Sequence, residues 1–183
     1  MVANEPQQAA HVAAPAPADG HVTLRPPCAQ DGRRVYDAVR TWGGLDVNSA
    51  YAYLLACDRF AAQCSLAERD GELLGFVVGL APSDTPHTLF VWQVAVAPAG
   101  RGLGLAGRLV DDILARDPAR YRFVEAHVGP TNQASMRLFE GLARRHDAPF
   151  EAREDYPAAW FPNGHDAECL VRIGPLREQG ETP

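Results

Sequence analysis

The stretch "VWQVAVAPAGRGLGLAGRLV", residues 91–110, constrains this chain more than any other. The almost wholly apolar run that enters it, "TLFVWQVAV", reads as a strand covered on both faces. Beyond the glycines a helix is expected to about Arg116, with Leu105, Leu109, Ile113 and Leu114 as its buried stripe. Between strand and helix stand Arg101, Gly102, Gly104 and Ala106. Glycines let main-chain amides approach an anion, and a small side chain at Ala106 stays out of its way. The helix start adds unpaired N–H groups and a partial positive charge. Whatever fold the chain adopts must keep this strand, loop and helix together as one unit.

The remaining segments read in the order βααβββαβαβ, with an extra strand near "PFEARE". "HVTLRP" is a short strand, and Val35 and Val39 mark a first amphipathic helix. A second helix begins at Asn48 or Ser49, either of which suits a cap. "CSLAER" and "ELLGFVVGL" form a hairpin across Asp70-Gly71. "RYRFVEAHV" and "DAECLVRI" are strands, and "NQASMRLFEGLARRH" is a helix with Ser135, Leu138, Phe139 and Leu142 on one face. At 183 residues and 46% hydrophobic this is one domain. The expected bounds are a disordered tail over 1–20, a folded domain over 21–176 and a short tail over 177–183.

Composition removes several functions. A formal charge of −6 argues against nucleic acid or anionic membrane as a main partner. All 17 basic residues are arginine, which excludes a Walker-type loop and Schiff-base chemistry. Cys28, Cys57, Cys64 and Cys169 lack C-x-x-C spacing, so no metal site is expected and reduced thiols are. The first twenty residues lack a basic and then Leu-rich signal, and no apolar run is long enough to span a membrane. A cytoplasmic protein is expected.

The glycine loop itself has two readings. Gly102-x-Gly104-x-x-Gly107 matches a dinucleotide fingerprint, whereas Arg101-x-x-Gly104-x-Ala106 matches a pyrophosphate loop for an acyl-coenzyme A. A dinucleotide loop turns tightly off its strand, but here "APAGR" intervenes. Too few βα units follow for a doubly wound sheet. The acyl-coenzyme A reading is therefore preferred.

These residues bring out a resemblance. "QVAVAPAGRGLGLAGRLV" followed by "NQASMRLFEGLA" resembles the GCN5-related N-acetyltransferases (GNAT). More narrowly, "GGLDVNSAYAYLLACDRFA", "GELLGFVVGL", "LFVWQVAV" and "WFPNGHDAECLVRIGP" are similar to the diaminobutyrate acetyltransferases of ectoine biosynthesis. The resemblance spans about 21–176. It implies an α/β (α+β) fold of GNAT type: a mixed, mostly antiparallel sheet, helices on both faces and splayed central strands. It also implies a homodimer that transfers acetyl from acetyl-CoA to the 4-amino group of L-2,4-diaminobutyrate. A non-catalytic acyl-CoA sensor and a GNAT acting on another small amine are the alternatives.

The resemblance further implies that Arg101, Gly102, Gly104, Leu105 and Ala106 hold the pyrophosphate. Val94, Ala95 and Val96 would contact the coenzyme through their main chain, the Val94 amide polarising the acetyl carbonyl. Asn132 would touch the coenzyme or simply cap its helix. A primary amine near pKa 10.4 is free in only about one molecule in 1000 near pH 7.4, so a proton must be removed. Glu125 is the expected base, directly or through water, or else the partner of the ammonium. Asp46, Tyr51, Trp92 and His165 would complete the substrate pocket. Where many relatives carry a tyrosine that protonates the leaving thiolate, this chain has Phe139. Tyr51 could substitute, or the thiolate could leave unprotonated.

Overall fold

Asp70 and Gly71 both adopt positive φ, 52° and 79°, as a two-residue hairpin turn of primed type demands. They join β2 (Ser65–Arg69) to β3 (Glu72–Leu80). The structure is a computed structural model that describes residues 21–162 and 164–176, so both expected tails lie outside the described residues. Around the hairpin the chain runs β1 (Thr23–Arg25), α1 (Asp31–Trp42) and α2 (Ala50–Arg59), then β4 (Thr88–Val96), α3 (Leu105–Arg116) and β5 (Phe123–Val128). It closes with α4 (Gln133–Arg145), β6 (Phe150–Tyr156) and β7 (Glu168–Ile173). Ser49 caps α2 by accepting the Ala52 amide at 3.2 Å.

The seven strands form one sheet in the order β1-β2-β3-β4-β5-β7-β6. Every neighbouring pair is antiparallel except β4 with β5. A doubly wound nucleotide fold needs parallel neighbours, so the nicotinamide reading fails on topology. Helices cover both faces. On one, Leu105, Leu109 and Ile113 of α3 and Phe139 and Leu142 of α4 pack on Leu89, Val91, Val124 and Ala126. On the other, Val35 and Val39 of α1 and Tyr53 and Ala56 of α2 pack on Leu66, Phe76 and Val78.

Two irregularities in β4 shape the centre. Opposite Val78 and Gly79 its partners are Gln93 and Val91, so Trp92 is an extra residue that swaps the faces on either side of it. Trp92 is 36% exposed, so this strand is not covered on both faces along its whole length as expected. Secondly, β4 pairs with β5 only through Thr88, Leu89 and Phe90 against Phe123, Val124 and Glu125, although β4 continues to Val96 and β5 to Val128. The central strands splay.

One charged cluster ties the helices to the sheet edge. Asp31, 4% exposed, bonds Arg25 at 2.7 Å and Arg34 at 3.0 Å, and both arginines also bond Glu68. Burial works to raise the Asp31 carboxyl, but the hydrogen bonds of Arg25 and the Cys28 amide hold it far below its usual range. Cys57 and Cys64 are buried thiols pushed up to about 12 and about 11, mainly by burial. Among the described residues no helix is long and apolar enough to cross a membrane.

Candidate active site

Past Phe90 and Glu125 the two central strands part. Val94, Ala95 and Val96 keep Val77, Phe76 and Gly75 as partners on the β3 side, while no strand lies beside them on the β5 side among the described residues. Their outward main-chain groups therefore open into the fork. Val96 leads through the short turn Pro98–Gly100 to the glycine loop, where Gly102 and Gly104 take positive φ of 78° and 64°. Gly104 precedes α3 without a side chain to cap it, so the opening amides are left for an external acceptor.

These residues line a cavity of about 310 Å³. Val96, Gly100, Arg101, Gly102, Gly104, Leu105, Ala106 and Gly107 form one side, and Arg137, Leu138, Gly141 and Arg145 of α4 form the other. A Cβ at Gly107 would fall 2.5 Å from Nη2 of Arg145, so the glycine is what lets that guanidinium lie against α3. Asp111 fixes it from below: Arg145 Nε donates to one carboxylate oxygen at 3.1 Å, and His146 Nε2 meets the other at 2.8 Å. Burial alone would raise the Asp111 carboxyl; His146 and Arg145 bring it below its usual range. Three guanidiniums and a helix start fit a diphosphate, through charge and through planar paired donors.

At the other side of the fork the chemistry reverses. Glu125, half-buried at the last β4–β5 pair, bonds the Arg172 guanidinium of β7, which lies 3.8 Å over the Phe123 ring. Two residues on and on the same face, His127 Nε2 meets Asp155 of β6 at 2.9 Å. Its ring stacks on Tyr156 at 4.1 Å and tilts against Phe90 at 5.4 Å. The bulge between Glu154 and Tyr156 is what brings both Asp155 and Tyr156 to this ring. Trp92 stacks on Tyr53 at 6.3 Å. Gln93 donates to the Asp46 carbonyl at 3.1 Å, and Tyr53 bonds the same loop, which fixes the α1–α2 connection over β4. Carboxylates set among aromatic faces suit a small cation.

The family model for the acetyltransferase (GNAT) family matches residues 33–143. The chain belongs to this acetyltransferase family. Among its relatives, the L-2,4-diaminobutyric acid acetyltransferase of Halomonas elongata is 44% identical over 156 residues, covering 84% of this chain and 81% of the relative. That of Streptomyces avermitilis is 42% identical over 154 residues, covering 82% and 86%. A diaminobutyrate acetyltransferase from Paenibacillus lautus, solved in complex with its substrate L-2,4-diaminobutyric acid and coenzyme A, superposes with a TM-score of 0.81 at 40% identity. That match covers 85% of this chain and 96% of the other. The Arabidopsis thaliana Naa50 structure, at 14% identity and a TM-score of 0.65, shares the fold.

The GNAT architecture brings most of the expected residues to the fork and its loop, though not all. Arg101, Gly102, Gly104, Leu105, Ala106 and Val96 meet in the cavity. Glu125 and Trp92 stand on the opposite face with the Asp46 loop between α1 and α2. Asn132 does not line the cavity: its Oδ1 accepts the Ser135 amide at 3.1 Å, the helix-cap role weighed for it. Tyr51 is 69% exposed. His165 is exposed, stacked on Phe161 at 4.3 Å with Nε2 3.7 Å from Glu168. Phe139 is 2% exposed in the core, so its position offers the fork no polar group. His146 braces the cavity through Asp111. Sequence reasoning passed over Arg137, Arg145, Gln93, His127, Asp155 and Arg172. The one usable signal was the two-residue spacing of Glu125 and His127, which puts both on one face of a strand.

Proposed function

We propose that this GNAT enzyme transfers the acetyl group of acetyl-CoA to the 4-amino group of L-2,4-diaminobutyrate, giving N4-acetyl-L-2,4-diaminobutyrate and CoA, the acetylation step of ectoine biosynthesis. The observation that carries the reading is the fork itself, with a basic phosphate-sized cavity on one side and an acidic, aromatic wall on the other. The identity to diaminobutyrate acetyltransferases supports the substrate, and the Paenibacillus complex with coenzyme A supports the donor.

Acetyl-CoA supplies an activated acyl carbon bound to a good leaving group. The opening amides of α3, with Arg101, Arg137 and Arg145, hold its diphosphate, while the open edge of Val94, Ala95 and Val96 receives the arm that follows. The Val94 amide donates to the acetyl oxygen; such donors contribute about 3–4 kcal/mol in the transition state. Glu125, with one oxygen on Arg172, presents the other to the substrate ammonium and holds it where its proton can leave. Trp92 offers its face to the same cation, and Asp46 adds a second negative charge at the pocket wall. Tyr51 and His165 close the pocket around the remaining polar groups. Asn132 stabilises α4 beneath the coenzyme.

A single catalytic domain over 21–176 working as a cytoplasmic homodimer fits this scheme. Val47, Tyr51, Leu54 and Trp160 are large hydrophobic side chains left exposed, at 45–71%, and a second copy of the chain would cover them. The test is thiol release from acetyl-CoA with diaminobutyrate, ornithine, lysine and putrescine as acceptors. Diaminobutyrate is expected to give the highest kcat/KM. Faster turnover of another amine overturns the substrate, and coenzyme binding without thiol release indicates a sensor.

A further inference from the structure

Of the groups on the acidic wall, His127 has the geometry of an acid–base catalyst. Its Nε2 is engaged by Asp155 at 2.9 Å, and Asp155 is itself held by Arg153 at 2.8 Å. A neutral imidazole so held must carry its proton on Nε2, which leaves Nδ1 as a lone-pair acceptor. No hydrogen bond occupies Nδ1 among the described residues. The ring cannot swing away, because Tyr156 stacks on it at 4.1 Å and Phe90 abuts it at 5.4 Å. It projects from β5 just beyond the last pair with β4, on the same face as Glu125.

Glu125 is less free: the Arg172 guanidinium already takes one of its oxygens. As classes, imidazole near 6.5 accepts a proton from an amine about a hundredfold more readily than a carboxylate near 4.3. We infer that His127 is the proton acceptor of the reaction, with Glu125 seating the ammonium and Asp155 a positioning residue that orients the ring. The inference rests on the proposed acetylation of a diamine. One ammonium proton moves to Nδ1 of His127, directly or through one water. The freed nitrogen lone pair forms the C–N bond to the acetyl carbon as the C–S bond breaks and its electron pair leaves on sulfur. The second nitrogen proton, lost as the amide forms, neutralises the thiolate, and the imidazolium returns its own to solvent. Amide, thiol and one released proton balance the reaction. His127 supports Asp155 in turn: its hydrogen bond, then that of Arg153, holds that carboxyl below its usual range.

The test compares wild type, His127→Ala, His127→Gln and Asp155→Asn in thiol release across pH 5.5–9.5, with melting temperature and CoA affinity as folding controls. The groups facing the ring that can titrate or carry charge are Asp155 with Arg153, Glu125 with Arg172, and Tyr156, so the pH profile is read against Asp155→Asn. His127→Gln is expected to lose about 10²–10³ in kcat with CoA affinity within twofold. Added imidazole is expected to restore part of the His127→Ala rate, and Asp155→Asn to lose at least tenfold with a displaced acidic limb. An active wild type beside a His127→Ala enzyme that keeps at least half its kcat and the same acidic limb overturns this inference alone. A folded, CoA-binding wild type that acetylates no diamine overturns the functional reading and this inference with it.

Discussion

Replacing Gly107 by alanine separates coenzyme affinity from stability, because the structure gives the two effects opposite signs. The new Cβ would sit 2.5 Å from Nη2 of Arg145, closer than real methyl groups come to any atom, and a tight 3.1 Å from its Cζ. The helix backbone is fixed by Leu105, Leu109 and Ile113 in the core, so the guanidinium end of a partly exposed arginine must yield. Arg145 then leaves the cavity and its Asp111 brace. Losing a charge-assisted hydrogen bond costs about 1.5–3 kcal/mol of binding, or about 10–100-fold in Kd. Against that, alanine in a helix interior is worth up to about 1 kcal/mol over glycine, and the exposed Asp111 pair contributes about that or less. Calorimetric titration with CoA should therefore show the weakening while the melting temperature stays level or rises slightly. Arg145→Ala should weaken CoA by a similar factor, and the double variant should be no weaker than Arg145→Ala alone, since both remove one contact. Unchanged CoA affinity in Gly107→Ala, or full additivity in the double variant, would refute the placement of Arg145 on the phosphates.

Two further outcomes follow from the same geometry. Glu125→Gln removes the charge that seats the ammonium and should lower kcat/KM for diaminobutyrate by about 10–100-fold while leaving CoA affinity near wild type; a near-normal kcat/KM would remove Glu125 from the substrate site. Asp31→Asn leaves Arg25 and Arg34 without one partner in a buried cluster and should cost about 3–5 kcal/mol in urea unfolding at pH 7. Because the folded Asp31 carboxyl is depressed, its contribution is present above the ordinary carboxylate value and is lost as pH falls through the lower folded one. The gap between wild type and variant should thus close towards pH 2, and a gap that holds constant from pH 7 to 2 would contradict the account.

Much of this arrangement is legible along the chain, because its signals are local. The Asp70-Gly71 turn, the Ser49 cap and the α3 stripe each depend on residues within a few positions of one another and are found as read, and the stretch from Arg101 to Ala106 does join a strand to a helix. What escapes depends on register and crossing. The β4 bulge at Trp92 exists only relative to β3, so an even apolar run gave no hint that the indole would be exposed. Arg172 meets Glu125 across 47 residues because β7 inserts between β5 and β6, an order that no periodicity encodes. The same insertion puts Asp155 within reach of His127 through a second bulge. Arg145 was hidden for a different reason: Gly107 fits a dinucleotide pattern, and its true work is to admit a side chain from another helix.

A crystal structure of the enzyme with both CoA and L-2,4-diaminobutyrate bears most directly on the central claim. The diphosphate is expected on the amides that open α3 with the guanidiniums of Arg101, Arg137 and Arg145 around it, and the 4-amino nitrogen in the fork facing Glu125 and His127. A coenzyme lodged elsewhere, or a diamine whose 2-amino group points at the sulfur instead, would contradict it.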